Sequence, residues 1–361
     1  MSNRVYNFAA GPATIAVPVL EKAQQELLCH GADGMSVMEM SHRSGMYLAI
    51  YERAEALLRE LMAIPENYTV LFLQGGASMQ FAQVPMNLMT VTGTADYIDS
   101  GNFAKNAIKE AQRYGKVNVV GSTADIAYSR IPEISGVNDE ADYLHFTTNN
   151  TIFGTHFWQL PQTKAPLVTD MSSSILSKPY DVSKYAMIYA GAQKNIGPAG
   201  VCLVIIRNDM LEREPMAFTP TMLKYQTMAK AGSMYNTPPT FGIYMAMLTF
   251  EWLKELGGLE VMEKMNREKA AVLYDYLDSQ SYYIAPVEKD SRSMMNVTFV
   301  TGDKDLDKKF AADAAKAGLV NLAGHRLVGG MRASIYNAMP KAGIEKLVGF
   351  MDDFAKANPK A

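Results

Sequence analysis

The chain has 361 residues, of which 48% are apolar and 20% charged, and its formal net charge is −3. That length exceeds one ordinary core and calls for two domains, or one large domain with a smaller companion; the apolar share excludes a disordered chain. The charge is near neutral and holds no basic block, which excludes an electrostatic fit to nucleic acid or to a membrane surface.

The first residues, MSNRVYNFAAGPATIAVP, have no continuous apolar core and read as no secretory signal. The longest clean apolar run is VCLVII at 201–206, far short of the roughly 20 residues of a membrane helix. A cytoplasmic location is expected. Cys29 and Cys202 are far apart and lack CxxC spacing, so both read as reduced core thiols, with Cys29 on an amphipathic helix. The five histidines have neither HxxxH nor HExxH spacing, and no metal site is expected.

From residue 69 the pattern alternates. TVLFLQ (69–74) reads as a buried strand followed by a Gly-rich turn and a helix; ADYIDSG (95–101) is a strand ending in Gly; FAKNAIKEAQRYG (103–115) has helical spacing. VNVVGS (117–122), DYLHFTT (142–148), PLVTD (166–170), AMIYAG (186–191) and VCLVIIR (201–207) are further short apolar runs. Strand runs separated by helices predict an α/β fold with a largely parallel sheet covered on both faces, and ligands gather at the carboxyl ends of such strands. FGIYMAMLTFEWLKELGG (241–258) reads as a long helix stopped by its double Gly. Beyond it the chain has fewer buried strands and more amphipathic helix, which puts a domain boundary near 256.

Lys194 follows the AMIYA strand, where desolvation lowers an amine's pKa and makes it a nucleophile toward carbonyls. Asp170 ends the PLVTD strand, 24 positions earlier. Two strand ends of one sheet can bring this carboxylate and this amine to one crevice. A pyridoxal phosphate, with its aldehyde on the lysine and its ring nitrogen on the carboxylate, would satisfy both; an Asp that merely caps the turn into Ser172 is the other reading. QGGASMQF (74–81) opens a helix after a strand. Gly75 and Gly76 let backbone approach an anion, with Gly76, Ala77 and Ser78 at the helix start. Neither GxxxxGK[ST] nor GxGxxG occurs, so the phosphate belongs to a cofactor or small substrate rather than to a nucleotide. Phe103 could stack on a flat ring or simply open a helix from the core.

Five segments, GAQKNIGPAG, TDMSSSILS, SVMEMSHRS, GSMYNTPPT and GHRLVGGMRASIYNAMP, resemble the phosphoserine aminotransferase family, pyridoxal-phosphate enzymes of fold type I and class V. The likeness runs from NFAAGPA at residue 7 to near the C-terminus. It implies a large cofactor domain (16–255) with a mostly parallel seven-stranded sheet flanked by helices, and a smaller α/β domain (1–15 with 256–361). It implies that Lys194 bonds the cofactor aldehyde, that Asp170 meets the pyridine nitrogen, and that Gln193, Thr151 and Ser78 touch the ring oxygen or the phosphate. Asn236 and Thr237 would reach the phosphate from a neighbouring subunit of a homodimer. His42 and Arg43, with His325 and Arg326, would form a substrate-anion site across that dimer, and Arg332 would hold the substrate α-carboxylate. The implied substrates are L-glutamate and 3-phosphohydroxypyruvate, with the four-carbon phosphorylated acid of vitamin B6 synthesis as another acceptor. Many members carry Arg where Ser78 stands and Trp where Phe103 stands.

Two rival readings go with this one. A lyase or desulfurase of the same fold would keep the cofactor, but a desulfurase needs a mobile cysteine. A phosphate-ligand binding protein without catalysis would have no use for Lys194 and Asp170 together.

Overall fold

The computed structural model describes residues 4–360. In chain order its strands are β1 (Tyr6–Asn7), β2 (Tyr68–Leu73), β3 (Thr94–Asp99), β4 (Lys116–Ser122), β5 (Leu144–Thr147), β6 (Leu167–Asp170), β7 (Met187–Gly191), β8 (Cys202–Arg207), β9 (Asn296–Phe299), β10 (Leu319–Val320) and β11 (Met331–Ser334). Seven of them form the central sheet in the order β2-β8-β7-β6-β5-β3-β4. All its neighbouring strands are parallel except β8, which runs antiparallel to both β2 and β7. The reversal follows from chain length. Only residues 192–201 join β7 to β8, and a parallel crossover needs a dozen residues or more.

Side chains alternate across this sheet. Met187 and Tyr189 of β7, with Cys202, Val204 and Ile206 of β8, pack against helices Gly76–Leu88 and Asn102–Ala111. Ile188, Ala190, Leu203 and Ile205 face the other way, toward helices Val17–Gln25, Gly45–Leu61 and Thr240–Glu255. Both faces are therefore dry, which is why β7 and β8 read as unbroken apolar runs rather than alternating ones. Each of the Met, Val, Leu and Ile side chains among them contributes about 1.5–3 kcal/mol by burial. In helix Thr240–Glu255 every residue from Ile243 to Phe250 is buried, the mark of a core helix. Gly257, at φ 104°, stops the turn after this helix and opens helix Gly258–Ser279.

A further core gathers Phe8 with Leu273, Phe299, Phe310, Leu319, Ile335 and Phe354. Here β1 pairs in parallel with β10, so the N-terminal segment joins the C-terminal part of the chain. β9 and β11 form an antiparallel pair in which Arg332 stands opposite Thr298. Helix Lys341–Ala357 closes this core.

One expectation fails. Cys29 lies beyond helix Val17–Gln25 and is exposed, so it is not a core thiol; Cys202 is buried in β8.

Candidate active site

The carboxyl ends of β5, β6 and β7 stand side by side, with Thr147, Asp170 and Tyr189 in one register row. A cavity of about 320 Å³ opens over these ends, within the range of small-molecule sites. Asp170 and Lys194 both line it. Asp170 is buried, and desolvation raises its pKa while the Lys194 charge and a 2.8 Å bond from the Ser172 amide pull the other way. Desolvation, the largest cause, takes the Lys194 amine down to about 8; Asp170 opposes this and Arg332 adds to it. Asp170 makes no ion pair among the described residues, so its carboxylate stays available to a cationic ligand atom.

Lys194 Nζ donates to Thr151 Oγ1 at 2.7 Å and lies 5.5 Å from the centre of the Phe103 ring. Thr151 sits in a tight turn after β5, closed by the Asn150 amide on the Thr155 carbonyl and the Gly154 amide on the Asn150 carbonyl. Asn150 also donates to the Ser100 carbonyl, next to Gly101. A Cβ at residue 101 would collide with the Asn150 side chain. The turn and the start of the Phe103 helix are thereby held together, which fixes Phe103 and Thr151 near Lys194. The Gln193 carbonyl accepts from the Ala13 amide at 2.9 Å, so the N-terminal segment, with Ala10 and Gly11, walls the cavity.

At one end of the cavity, helix Gly76–Leu88 begins at Gly75, which has no side chain to cap it. Gly75 and Gly76 take φ values of 87° and 63°, conformations that glycine adopts freely. The first-turn amides, those of Gly76, Ala77 and Ser78, have no intrahelical acceptor, and together with the helix dipole they form an anion cradle. Arg332, also in the lining, donates from Nη1 to the Thr151 carbonyl at 3.2 Å, while its Nε is buried without a partner. His325 also lines the cavity; desolvation lowers its pKa, with Arg332 and Arg326 adding to the effect. The charged lining is thus Lys194 and Arg332 against Asp170 alone, a balance that suits a ligand with several negative charges.

Of the expected residues, Gly76, Ala77, Ser78, Phe103, Thr151, Asp170, Gln193, Lys194, His325 and Arg332 meet in this cavity. Five do not. His42 and Arg43 lie side by side outside it, with Arg43 Nε 3.3 Å from His42 Nε2. Arg326 is exposed. Asn236 and Thr237 are near Gln74, which donates to the Thr237 carbonyl, and Asn236 Oδ1 is buried without a partner. Residues not singled out from the sequence complete the lining: Phe81, Thr147, Asn149, Ile152, Ser172 and Ser173. Ser172 and Ser173 follow Asp170 across the single residue Met171, and that proximity in sequence was the available signal. Ser172 Oγ takes the Gly191 amide, linking β6 to β7 below Asp170. Neither cysteine lines the cavity. No cluster of metal-ligating side chains occurs among the described residues, and no helix there is long and apolar enough to cross a membrane.

A family model described as aminotransferase class-V matches residues 5–347. Among curated relatives, a phosphoserine aminotransferase of Listeria innocua is 54% identical over 98% of this chain and 97% of its own length. Among solved structures, the phosphoserine aminotransferase of Bacillus circulans subsp. alkalophilus superposes with a TM-score of 0.95, at 47% identity over 99% of both chains. A pyridoxal-phosphate-bound phosphoserine aminotransferase from Trichomonas vaginalis gives a TM-score of 0.94, at 39% identity over 97% of this chain and 100% of its own.

Proposed function

The chain belongs to the class-V aminotransferase family, and from that premise we propose that it moves the amino group of L-glutamate to 3-phosphohydroxypyruvate, giving 2-oxoglutarate and O-phospho-L-serine in two alternating half-reactions. The observation that carries this reading is the cavity with a buried carboxylate, a low-pKa lysine, an uncapped helix start and a half-buried arginine whose Nε has no partner. These residues fit pyridoxal phosphate: the Gly76–Ser78 amides would hold its phosphate, Phe103 would cover its ring, Asp170 would meet its ring nitrogen and Lys194 its aldehyde. When bound, that cofactor supplies an aldehyde that exchanges amino groups and a ring that accepts the electron pair left by the α-proton.

The protein's own groups do the rest. Arg332 grips the substrate α-carboxylate through its fork of donors. Its unpartnered Nε leaves one edge of that fork open. Lys194 Nζ, as a free amine, would take the α-proton and later return one to the product carbon. An amine with a pKa of about 8 can both accept and donate near neutral pH. Asp170 would keep the ring nitrogen of the bound cofactor protonated by its negative charge, and the Ser172 amide holds that carboxylate in place. The Ser78 hydroxyl adds an acceptor and donor, but no charge, at the phosphate end.

We also read residues 16–255 as the large domain and 1–15 with 256–361 as the small one, supported by the cores on the two faces of the sheet and the separate core around Phe8 and Phe310. A homodimer with shared sites is part of the reading. Its support is that His42, Arg43, Arg326, Asn236 and Thr237 stand outside the cavity of their own chain, where they could complete a partner's. A cytoplasmic location completes it, since a multiply charged phosphorylated substrate does not cross a bilayer unaided.

The test is an absorption spectrum of the purified protein. A visible band that shifts on L-glutamate and returns on 3-phosphohydroxypyruvate is the expected result. A band indifferent to glutamate would overturn the amino donor, and a protein that stays colourless with pyridoxal phosphate would overturn the whole reading.

A further inference from the structure

Just past Arg332 the chain meets a buried lysine that no step above uses. Lys269, on helix Gly258–Ser279, is 2% exposed. Its Nζ donates to the carbonyls of Ile335 at 3.2 Å, Tyr336 at 2.8 Å and Asn337 at 3.2 Å. An ammonium has three N–H groups, and three carbonyls take them all. Burial pushes this amine down, to about 7, while the three acceptors favour its charged form.

One turn earlier, Asn266 donates to Asn337 Oδ1 at 2.8 Å and to the Ser177 carbonyl at 3.0 Å. Asn337 in turn donates from Nδ2 to the Leu176 carbonyl at 2.9 Å and from its backbone to Asn195 Oδ1 at 3.1 Å. Asn195 is the neighbour of Lys194 and donates to the Ile175 carbonyl at 2.9 Å. Segment 335–337 therefore joins three parts of the site. It continues the strand of Arg332, it is bonded to the loop of Lys194, and it is bonded to the stretch that leaves Asp170. Of the side-chain polar atoms of these residues only Asn266 Oδ1 is buried without a partner; a network so nearly satisfied specifies one geometry, and losing one member leaves several acceptors unpaired.

We propose that Lys269 is a positioning residue: by holding the carbonyls of residues 335–337 it fixes Arg332 relative to Lys194, and so sets where the donor's α-carboxylate sits when Lys194 takes the α-proton. The inference rests on the role given to Arg332 above. Misplacement by about 1 Å in such a pair can cost on the order of a hundredfold in rate.

A double-mutant cycle on the holoenzyme tests it, with Lys269→Met, Arg332→Lys and the double variant. Two readouts are taken: kcat and KM for glutamate, and the Kd of glutarate, an unreactive dicarboxylate, by calorimetry. Lys269→Met should weaken glutarate binding and lower kcat/KM by about tenfold or more in the wild-type background, but by less than about twofold beside Arg332→Lys. Equal losses in both backgrounds, or no loss in the first, overturn the proposal, because a lysine that only stabilises the fold would not be coupled to Arg332. If Lys269→Met does not fold, Asn266→Ala enters the same cycle with the same expectations. Arg332→Lys alone leaving glutarate Kd and glutamate KM unchanged is a distinct result: it overturns the role of Arg332, and this inference with it.

Discussion

Lys194 and Arg332 meet on one residue: Lys194 Nζ bonds the side chain of Thr151 at 2.7 Å and Arg332 bonds its backbone carbonyl at 3.2 Å. The group we propose as the proton carrier and the group we propose for the substrate carboxylate are thus referenced to the same turn. Thr151→Val would remove only the first bond. It should leave the fold intact and slow turnover by about tenfold, with a smaller effect on KM for glutamate; steady-state kinetics on both substrates would show it.

Lys194→Ala should retain the native circular dichroism spectrum and lose at least about 10³-fold in turnover, since it removes the proposed nucleophile and the base together. Near-normal turnover in that variant would sink the proposed mechanism.

The depressed pKa of Lys194 has a measurable sign. In the cofactor-free protein its neutral form prevails above pH about 8, where an ordinary lysine, with its value of 10.5, is still charged. Labelling of Lys194 by an amine-reactive reagent should therefore rise through pH about 8. Asp170→Asn removes the charge that raises this value, so the labelling midpoint should fall further. The linkage runs the same way. Between about 8 and 10.5 the unfolded chain binds the proton and the native chain does not, so this group adds stability as pH rises through that window. Below it the burial penalty is fully present. Urea titrations of the cofactor-free protein across this range, compared with Lys194→Met, check the sign.

Gly75→Ala puts a side chain at φ 87° with Met79 Cβ only 2.7 Å from the added carbon. The conformation alone costs about 1–2 kcal/mol, and the contact adds to it. The variant should unfold at lower temperature and release pyridoxal phosphate more readily, because the helix start that would hold the phosphate is displaced. Calorimetric unfolding and equilibrium dialysis would report the two effects separately.

The shared-site homodimer predicts complementation. Lys194→Ala and Arg43→Ala should each be poorly active. Mixed and allowed to exchange subunits, they should recover about a quarter of wild-type activity, because half the dimers then carry one intact site of two. No recovery, with exchange verified by mass spectrometry, would place Arg43 and Lys194 in the same chain's site or Arg43 in none.

Where the sequence was legible, chemistry and punctuation coincided. Asp170 and Lys194 each follow a buried apolar run, and the glycines before Ala77 mark a strand–helix turn. The reversed direction of β8 was less visible, since an apolar run carries no sign of strand polarity and only the short 192–201 connection reveals it. Asn149 and Ile152 escaped because they enter the cavity through the geometry of a turn rather than through any spacing, and Thr147 because its place at the end of β5 beside Asp170 depends on strand register. Lys269 was the least visible. On a helix rich in charged residues it reads as one more solvated side chain, and only the packing of Ile335–Asn337 against that helix turns it inward.

The reversed strand has a further effect on the lysine itself. Because β7 and β8 run in opposite directions, both stems of the 192–201 loop are rooted in the middle of the sheet, and the Ala192 amide closes it on the Val201 carbonyl at 3.0 Å. The loop is a staple rather than a flap. Anchored so at both ends, the loop leaves the excursion we propose for Lys194, between an aldehyde carbon and an α-proton, to its side chain, whose four carbons set the longest stroke.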